Sequence, residues 1–300
     1  MERMSISEAF ELYRLEYISF RNQSAKTEEM NAMACKSLIE FIGDDIQIYD
    51  VTFDLVRKWK DSLSKSGKKA NTVRGYLIKL RVVLKHLRLK DMKVLNPDII
   101  GIPKRENTVV EFLEVDEIQA MIKAVFAKLP GYSKFKRHRN RAIIALLFSS
   151  GVRNGELRSI DRSQIKPGVD SFTIIGKGNK PRLCFVDEVT MQYLQEYLAL
   201  RKDNNPALFI NELDKKRISA AMVQLIVKNA GKKAGISKDV HPHTMRHSFA
   251  TDLLRNNTNL LYVRDFLGHA SIQDTQVYTH VVNEDLRALH REKHTVLAAV

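Results

Sequence analysis

Between Ser5 and Arg88 the apolar residues recur at three- and four-residue intervals, in four blocks separated by polar punctuation. Ser5 and Glu8 are spaced as a capping box, and Ala9, Phe10, Tyr13 and Tyr17 follow on one helical face. The second block, Lys26 to Ile42, turns Met30, Met33, Ala34, Leu38, Phe41 and Ile42 inward, and Gly43-Asp44-Asp45 ends it. Thr52 suits the cap of a third helix carrying Leu55, Trp59 and Leu63, with Trp59 read as core. A short basic loop, Ser64 to Lys69, precedes a fourth helix over Ala70–Arg88. Its Leu77, Leu80, Leu84 and Leu87 face inward, and Arg74, Lys79, Arg81, Lys85 and Arg88 face out. Asn96 to Asn107 carries two prolines, a glycine and polar residues and reads as a linker. The chain therefore divides into a domain over 1–96, a linker over 97–108 and a domain over 109–300.

In the second domain, Glu114 to Glu117 opens a helix with Ile118, Met121, Ile122 and Val125. Pro130 to Arg139 reads as a basic loop. Asn140 to Phe148 is strongly apolar and is the expected centre of the second core, closed by Ser149-Ser150-Gly151. A new helix begins after Arg153. Ser171–Ile175 and Pro181–Val186 flank Gly176-Lys177-Gly178-Asn179-Lys180, the pattern of a β-hairpin. Further helices are expected at Glu188–Arg201, Ser219–Ala234 and Pro242–Arg255, the last burying Met245, Phe249, Leu253 and Leu254. The tail from Asp285 is amphipathic through Leu286, Leu289, Val296 and Leu297, suited to folding back or to docking on a neighbour. The expected class is mainly α (α+β), with a small antiparallel sheet in the second domain.

Composition sharpens this. With 300 residues and 44% hydrophobic content, the chain can bury two cores. Net charge is +14 and pI about 9.7, so an anionic polymer is the natural partner, although charge alone would also suit a membrane surface. Distribution favours the polymer. Residues 1–56 hold 5 Lys/Arg against 11 Asp/Glu (5 − 11 = −6), and residues 57–105 hold 15 against 3 (15 − 3 = +12). Lys65, Lys68, Lys69, Arg74 and Arg81 are the candidate phosphate contacts there, the alternative being a solvated face. Cys35 and Cys184 make no disulfide framework and read as small core residues. No apolar leader region or 18-residue apolar run occurs, so a reducing cytoplasm is expected and no membrane partner.

The chemistry gathers late in the chain. His243 and Arg246 sit three apart at a helix start and project together. His269 follows the Leu267-Gly268 turn, and Tyr278 lies nine residues beyond. Such a set suits a phosphodiester: arginine forks anionic oxygens, histidine moves protons near neutrality, and tyrosine forms covalent intermediates. Upstream, Arg153 stands at a helix entry with Glu156 one turn on to orient it, and Lys177 sits on the glycine turn. Taken singly, each has a bland reading as an ion pair, a cap or a core residue. Taken in order, Arg153, Lys177, His243, Arg246, His269 and Tyr278 resemble the tyrosine recombinase (phage-integrase) family. Leu267-Gly268-His269-Ala270-Ser271 and Gln276-Val277-Tyr278-Thr279-His280-Val281 resemble its bacterial Xer-type branch, and the resemblance covers roughly residues 5–290.

The resemblance implies an N-terminal four-helix, SAM-like core-binding domain that clamps DNA, and a mostly helical catalytic domain whose C-terminal tail is exchanged between protomers. It implies that Arg153 and Arg246 clamp the scissile phosphate, that Tyr278 attacks it, and that Lys177 protonates the leaving oxygen. His243, or Arg246 through its field, helps the tyrosine proton to leave, and His269 hydrogen-bonds the phosphate, while Lys180 and Arg182 reach DNA phosphates. No cofactor and no metal is implied; His241, His243, His247 and His269 lack the H-E-x-x-H spacing of a metal helix. The implied partners are double-stranded DNA bearing a specific site, further copies of the chain as a tetramer on two sites, and a paralogous recombinase or accessory protein. The implied tasks are dimer resolution of chromosomes or plasmids, or integration and excision of a mobile element. Rival readings are a DNA-binding regulator that keeps the fold and a type IB topoisomerase-like relaxer. Asn154-Gly155 and Met245 depart from common family choices, but no catalytic residue type is lost.

Overall fold

In the computed structural model the described residues are 3–19, 25–104, 111–128, 131–176 and 181–268. They form two compact units, divided between Thr108 and Val109.

In the first unit, α1 (Ile6–Tyr13) is capped by Ser5, whose N–H donates to Glu8 Oε2 (2.7 Å) and whose Oγ accepts from Glu8 N (3.3 Å). A π-helical turn over Arg14–Ser19 follows. The other helices are α2 (Ala25–Ile42), α3 (Phe53–Lys65, capped by Thr52) and α4 (Ala70–Arg88). Trp59 is fully buried and stacks on Tyr76 with ring centroids 6.3 Å apart. Leu77, Leu80, Leu84 and Leu87 are all buried, so the inward stripe of α4 is as its periodicity predicts.

Residues 97–103 behave differently from the expected linker. A 3₁₀ turn at Pro97–Ile99 places Ile100 in the first core, 2% exposed, with Leu95 and Ile102 packed against it. Arg74 Nε donates to the Pro103 carbonyl (3.1 Å), and Arg81 pairs with Asp98 (3.1 Å). Prolines and a glycine mark turns correctly here, but apolar residues between them supply a reason to stay on the core.

The second unit contains α5 (Val115–Phe126), α6 (Lys134–Ser150), α7 (Asn154–Ser159), β1 (Ser171–Ile175), β2 (Pro181–Phe185), α8 (Glu188–Leu198), α9 (Ala220–Lys233), α10 (Pro242–Arg255) and α11 (Leu260–Leu267). β1 and β2 pair antiparallel, Ser171 opposite Phe185 and Ile175 opposite Pro181. α6 is the central helix: Ala142 to Leu147 are buried, and α5, α8 and α10 pack around it.

α6 begins earlier than its apolar run, because Lys134 to Arg139 are helical rather than loop. Ser133 Oγ caps Lys136 N (3.1 Å), and the cations of the first turns have partners inside the unit. Arg139 Nη1 donates to the Ile210 carbonyl (3.1 Å); burial holds its pKa below the usual arginine value. Arg141 pairs with Glu196, its guanidinium 3.7 Å from the Phe126 ring centroid and 4.1 Å from that of Tyr193. α8 stops at Leu198, before the expected Arg201, whose side chain turns back onto Asp203 (2.6 Å) and the carbonyls of Asn205, Ala207 and Leu208. Among the described residues no helix is long and apolar enough to cross a membrane.

Candidate active site

The site is assembled around the end of α11. A helix leaves its last carbonyls without intrahelical partners. Here three consecutive ones each accept from a different arginine. Arg182 Nη1 donates to Phe266 O, Arg246 Nη2 to Leu267 O (2.6 Å), and Arg153 Nη2 to Gly268 O (3.4 Å). The negative end of the helix macrodipole favours these cations. The chain then passes into His269.

Each arginine arrives from a different element. Arg153 is the N-cap residue of α7, with 29% of its side chain exposed. Arg182 lies on β2. Arg246 is on α10, 3% exposed, and its Nη1 donates to the Gly151 carbonyl (2.6 Å). Gly151 ends α6 at φ +60°, and a Cβ there would sit 2.4 Å from Phe249 Cδ1. Both the left-handed backbone and the close ring require glycine. Gly268 is constrained likewise: φ is +60°, and a Cβ would meet Arg182 Cδ at 2.5 Å.

One carboxylate organises the three cations. Glu156, 7% exposed, lies one turn along α7. Its Oε1 accepts from Arg153 Nη1 (2.7 Å). Its Oε2 accepts from Arg153 N (2.8 Å) and Arg182 Nη2 (2.8 Å), and stands 3.9 Å from Arg246 Nη1. Burial pushes the Glu156 carboxyl up, but the Arg153 N–H, the Arg182 guanidinium and the Arg153 side chain together hold it below its ordinary value. Nearby Cys184 is 2% exposed, and burial pushes its thiol up to about 11, so it is a neutral core residue.

α10 opens with His241, whose Nδ1 accepts from Thr244 N (3.1 Å), and with Pro242 in the first turn. His243 is exposed, its ring 6.3 Å from that of His241 and 6.4 Å from that of His247. Among the described residues no group of three or more His, Cys, Asp or Glu is placed to hold a metal ion.

Of the residues singled out in the sequence, Arg153 and Arg246 thus meet at Glu156, and His243 rides on the helix of Arg246. Lys177, Lys180, His269 and Tyr278 lie outside the described residues, as does the tail. Arg182 is not on the surface as expected of a phosphate contact; its side chain is 9% exposed and turned inward. Strand alternation carries that signal, since Arg182 shares a face with buried Cys184 and Val186. The carbonyls of Gly151 and of residues 266–268 have no side-chain signature and could not be found from sequence. In the first unit, Lys65, Lys68 and Lys69 are exposed, while Arg74 and Arg81 are half-buried and engaged with residues 97–103.

Residues 111–285 match the family model described as the phage integrase family. Tyrosine recombinase XerD of Staphylococcus epidermidis is 34% identical over 202 residues, which are 65% of this chain and 66% of that protein. The chain thus spans just under two thirds of that relative. XerD of Staphylococcus aureus is 29% identical over 251 residues, covering 80% of this chain and 82% of the relative. The crystal structure of XerA recombinase shares 25% identity, covers 97% of this chain and 99% of its own, and superposes with a TM-score of 0.54. The XerH site-specific recombinase, at 21% identity and 96% and 84% coverage, superposes with a TM-score of 0.73 and shares the fold. With its family model matched across most of the second unit and a run of XerD relatives, this chain belongs to the phage integrase family, the tyrosine recombinases.

Proposed function

We propose that the chain is a site-specific DNA recombinase that cuts and rejoins duplex DNA through a 3′-phosphotyrosyl intermediate. The observation that carries this reading is the convergence of Arg153 and Arg246 on Glu156, at the helix end from which the chain runs on towards His269 and Tyr278. Two guanidinium groups held by carbonyls and one carboxylate form a rigid cationic seat. A phosphodiester that gains negative charge at its transition state is the matching substrate.

In this mechanism Tyr278 attacks phosphorus. A tyrosine has an ordinary pKa near 10, so its proton leaves as the bond to phosphorus forms. His243 takes part in that transfer, aided by the field of Arg246. Lys177 gives a proton to the departing 5′-oxygen, and His269 hydrogen-bonds a nonbridging oxygen. The phosphotyrosyl ester keeps the energy of the broken bond, so a second 5′-hydroxyl can attack it and release Tyr278 without nucleotide hydrolysis. The 109–300 region is the catalytic domain on this reading, and residues 1–96 form the core-binding domain, with Lys65, Lys68, Lys69 and Lys180 on phosphates.

The partner is double-stranded DNA. Its support includes relatives solved on DNA: XerH bound to a palindromic difH substrate and the Tn1549 transposon integrase with a circular intermediate DNA. Assembly as a tetramer on two sites, in the cytoplasm, with a tail exchanged between protomers, completes the proposal. Dimer resolution and mobile-element movement are both compatible tasks.

A trapping experiment tests it. DNA covalently held by the protein in cells is recovered and sequenced, and the recovered site is rebuilt as a nicked suicide duplex. Wild type should form a protease-sensitive adduct, and Tyr278→Phe should form none while binding the duplex nearly as well. An adduct that survives the substitution ends the assignment. Relaxation of any supercoiled plasmid regardless of sequence turns it towards a topoisomerase.

A further inference from the structure

We infer that Arg182 is a positioning residue for the arginine pair: by occupying Glu156 it keeps that carboxylate from closing on Arg246, and it ties the β-hairpin to the end of α11. The rate tests below rest on the recombinase reading; the structural test does not.

Acceptor capacity comes first. A carboxylate oxygen offers two lone-pair sites. Both sites of Glu156 Oε2 are taken, by Arg153 N and by Arg182 Nη2, each at 2.8 Å. Arg246 Nη1 lies 3.9 Å from the same oxygen and donates instead to Gly151 O at 2.6 Å. Arg246 is thus oriented by carbonyls and stands 3.9 Å from this carboxylate. Remove Arg182, and Oε2 keeps its bond from Arg153 N but regains one free lone pair in a buried place, with Arg246 Nη1 3.9 Å away. An open acceptor site on a buried carboxylate is unfavourable, so a movement of about 1 Å to meet Arg246 is favoured.

Charge gives the same direction. Arg153, Arg182 and Arg246 with Glu156 sum to 3 − 1 = +2; without Arg182 they sum to 2 − 1 = +1. The seat for an anion loses half its positive charge, and the remaining carboxylate moves onto one of its two clamps.

Tethering is the second role. Arg182 Nη1 donates to Phe266 O, and the side chain crosses the end of α11 where only glycine at 268 leaves room. β2 follows directly on residues 177–180 in sequence, and Gly268 alone separates α11 from His269. One guanidinium therefore links the roots of two segments that the proposed chemistry requires. Lysine cannot substitute fully, because its ammonium is a single point and lacks the fork that spans both acceptors.

The test uses the full chain carrying Arg182→Gln, Glu156→Gln, the double substitution and Arg182→Lys. On the nicked duplex at saturating protein, Arg182→Gln should form adduct about 100-fold more slowly, the scale of losing one preorganised electrostatic element. Its Kd should stay within about threefold of wild type, because the residue touches no phosphate. In the Glu156→Gln background, Arg182→Gln should cost less than about tenfold, since a residue whose task is to occupy a carboxylate matters less once that carboxylate is gone. Equal costs in both backgrounds overturn the inference. So does a weaker Kd with a salt slope reduced by about one and an unchanged saturated rate, which marks a direct phosphate contact. If Arg182→Gln does not fold, Arg182→Lys serves, with an intermediate loss expected and none overturning the claim. Crystal structures of wild type and the folded variant decide independently of activity. Closure of Glu156 Oε2 on Arg246 Nη1 from 3.9 Å towards hydrogen-bond distance supports the inference, and an unmoved pair refutes it. Should wild type form no adduct on any recovered DNA, the recombinase reading fails while this distance still judges Arg182.

Discussion

Arg246 and Gly151 are joined by a 2.6 Å hydrogen bond, donated by Nη1 to the carbonyl of a residue in the left-handed region. The glycine that ends α6 thereby aims a guanidinium carried on α10. Gly151→Ala places a Cβ 2.4 Å from Phe249 Cδ1 and forces alanine to φ +60°. The backbone term and the crowding together should destabilise the second unit by about 3 kcal/mol. Urea unfolding measures this. Adduct formation should fall as well, because the carbonyl that orients Arg246 moves. A variant as stable and active as wild type contradicts the role given to this turn.

Glu156 makes stability depend on pH in a stated direction. Its folded carboxyl sits below the ordinary value of 4.5, since the Arg153 and Arg182 donors outweigh the burial that pushes it up. The unfolded chain therefore binds that proton more tightly. The stabilisation is present above about pH 4.5 and is lost as pH falls through the lower folded value. Glu156→Gln should cost about 3 kcal/mol near neutrality, as removal of one partner from a buried charge cluster does. The gap to wild type should narrow in acid. Urea midpoints of both proteins between pH 7 and pH 3 check it, and parallel curves would count against the assignment.

How far such features are legible in sequence follows from how local their causes are. α4 at Ala70–Arg88 and α10 at Pro242–Arg255 agree with the sequence reading to the residue, because the apolar period lies within each segment. The hairpin was visible for the same reason: alternation on both sides of a glycine-rich turn. Lys134–Arg139 reads as loop because its cations are satisfied by Ile210, Phe126 and Glu212, all outside the segment. Residues 97–103 looked like linker because prolines and a glycine hide a buried isoleucine. At the site, the pairing of Arg153 with Glu156 was available from a three-residue spacing. The inward placement of Arg182 follows from strand alternation, which the basic run around it obscures by suggesting a surface. Peptide carbonyls that hold the arginines are invisible to any reading by side-chain type.

The first unit offers a contrast between cations that hold the fold and cations that face solvent. Lys65 at the end of α3 and Lys68 and Lys69 on the short connection to α4 are exposed, whereas Arg81 is tied to Asp98 and Arg74 to the Pro103 carbonyl. If the lysines meet DNA phosphates, replacing all three with alanine releases three fewer counterions on binding. The slope of log K against log salt should then shrink by about 3, with stability changed by less than about 0.5 kcal/mol. Arg74→Ala should do the reverse, lowering the urea midpoint more than it alters the slope, because it unpins residues 97–103 from α4. Fluorescence anisotropy on the recovered duplex across a potassium chloride series separates the two. A triple variant with an unaltered slope removes these three lysines from the DNA-binding surface and leaves the other basic residues of 57–105 to carry it.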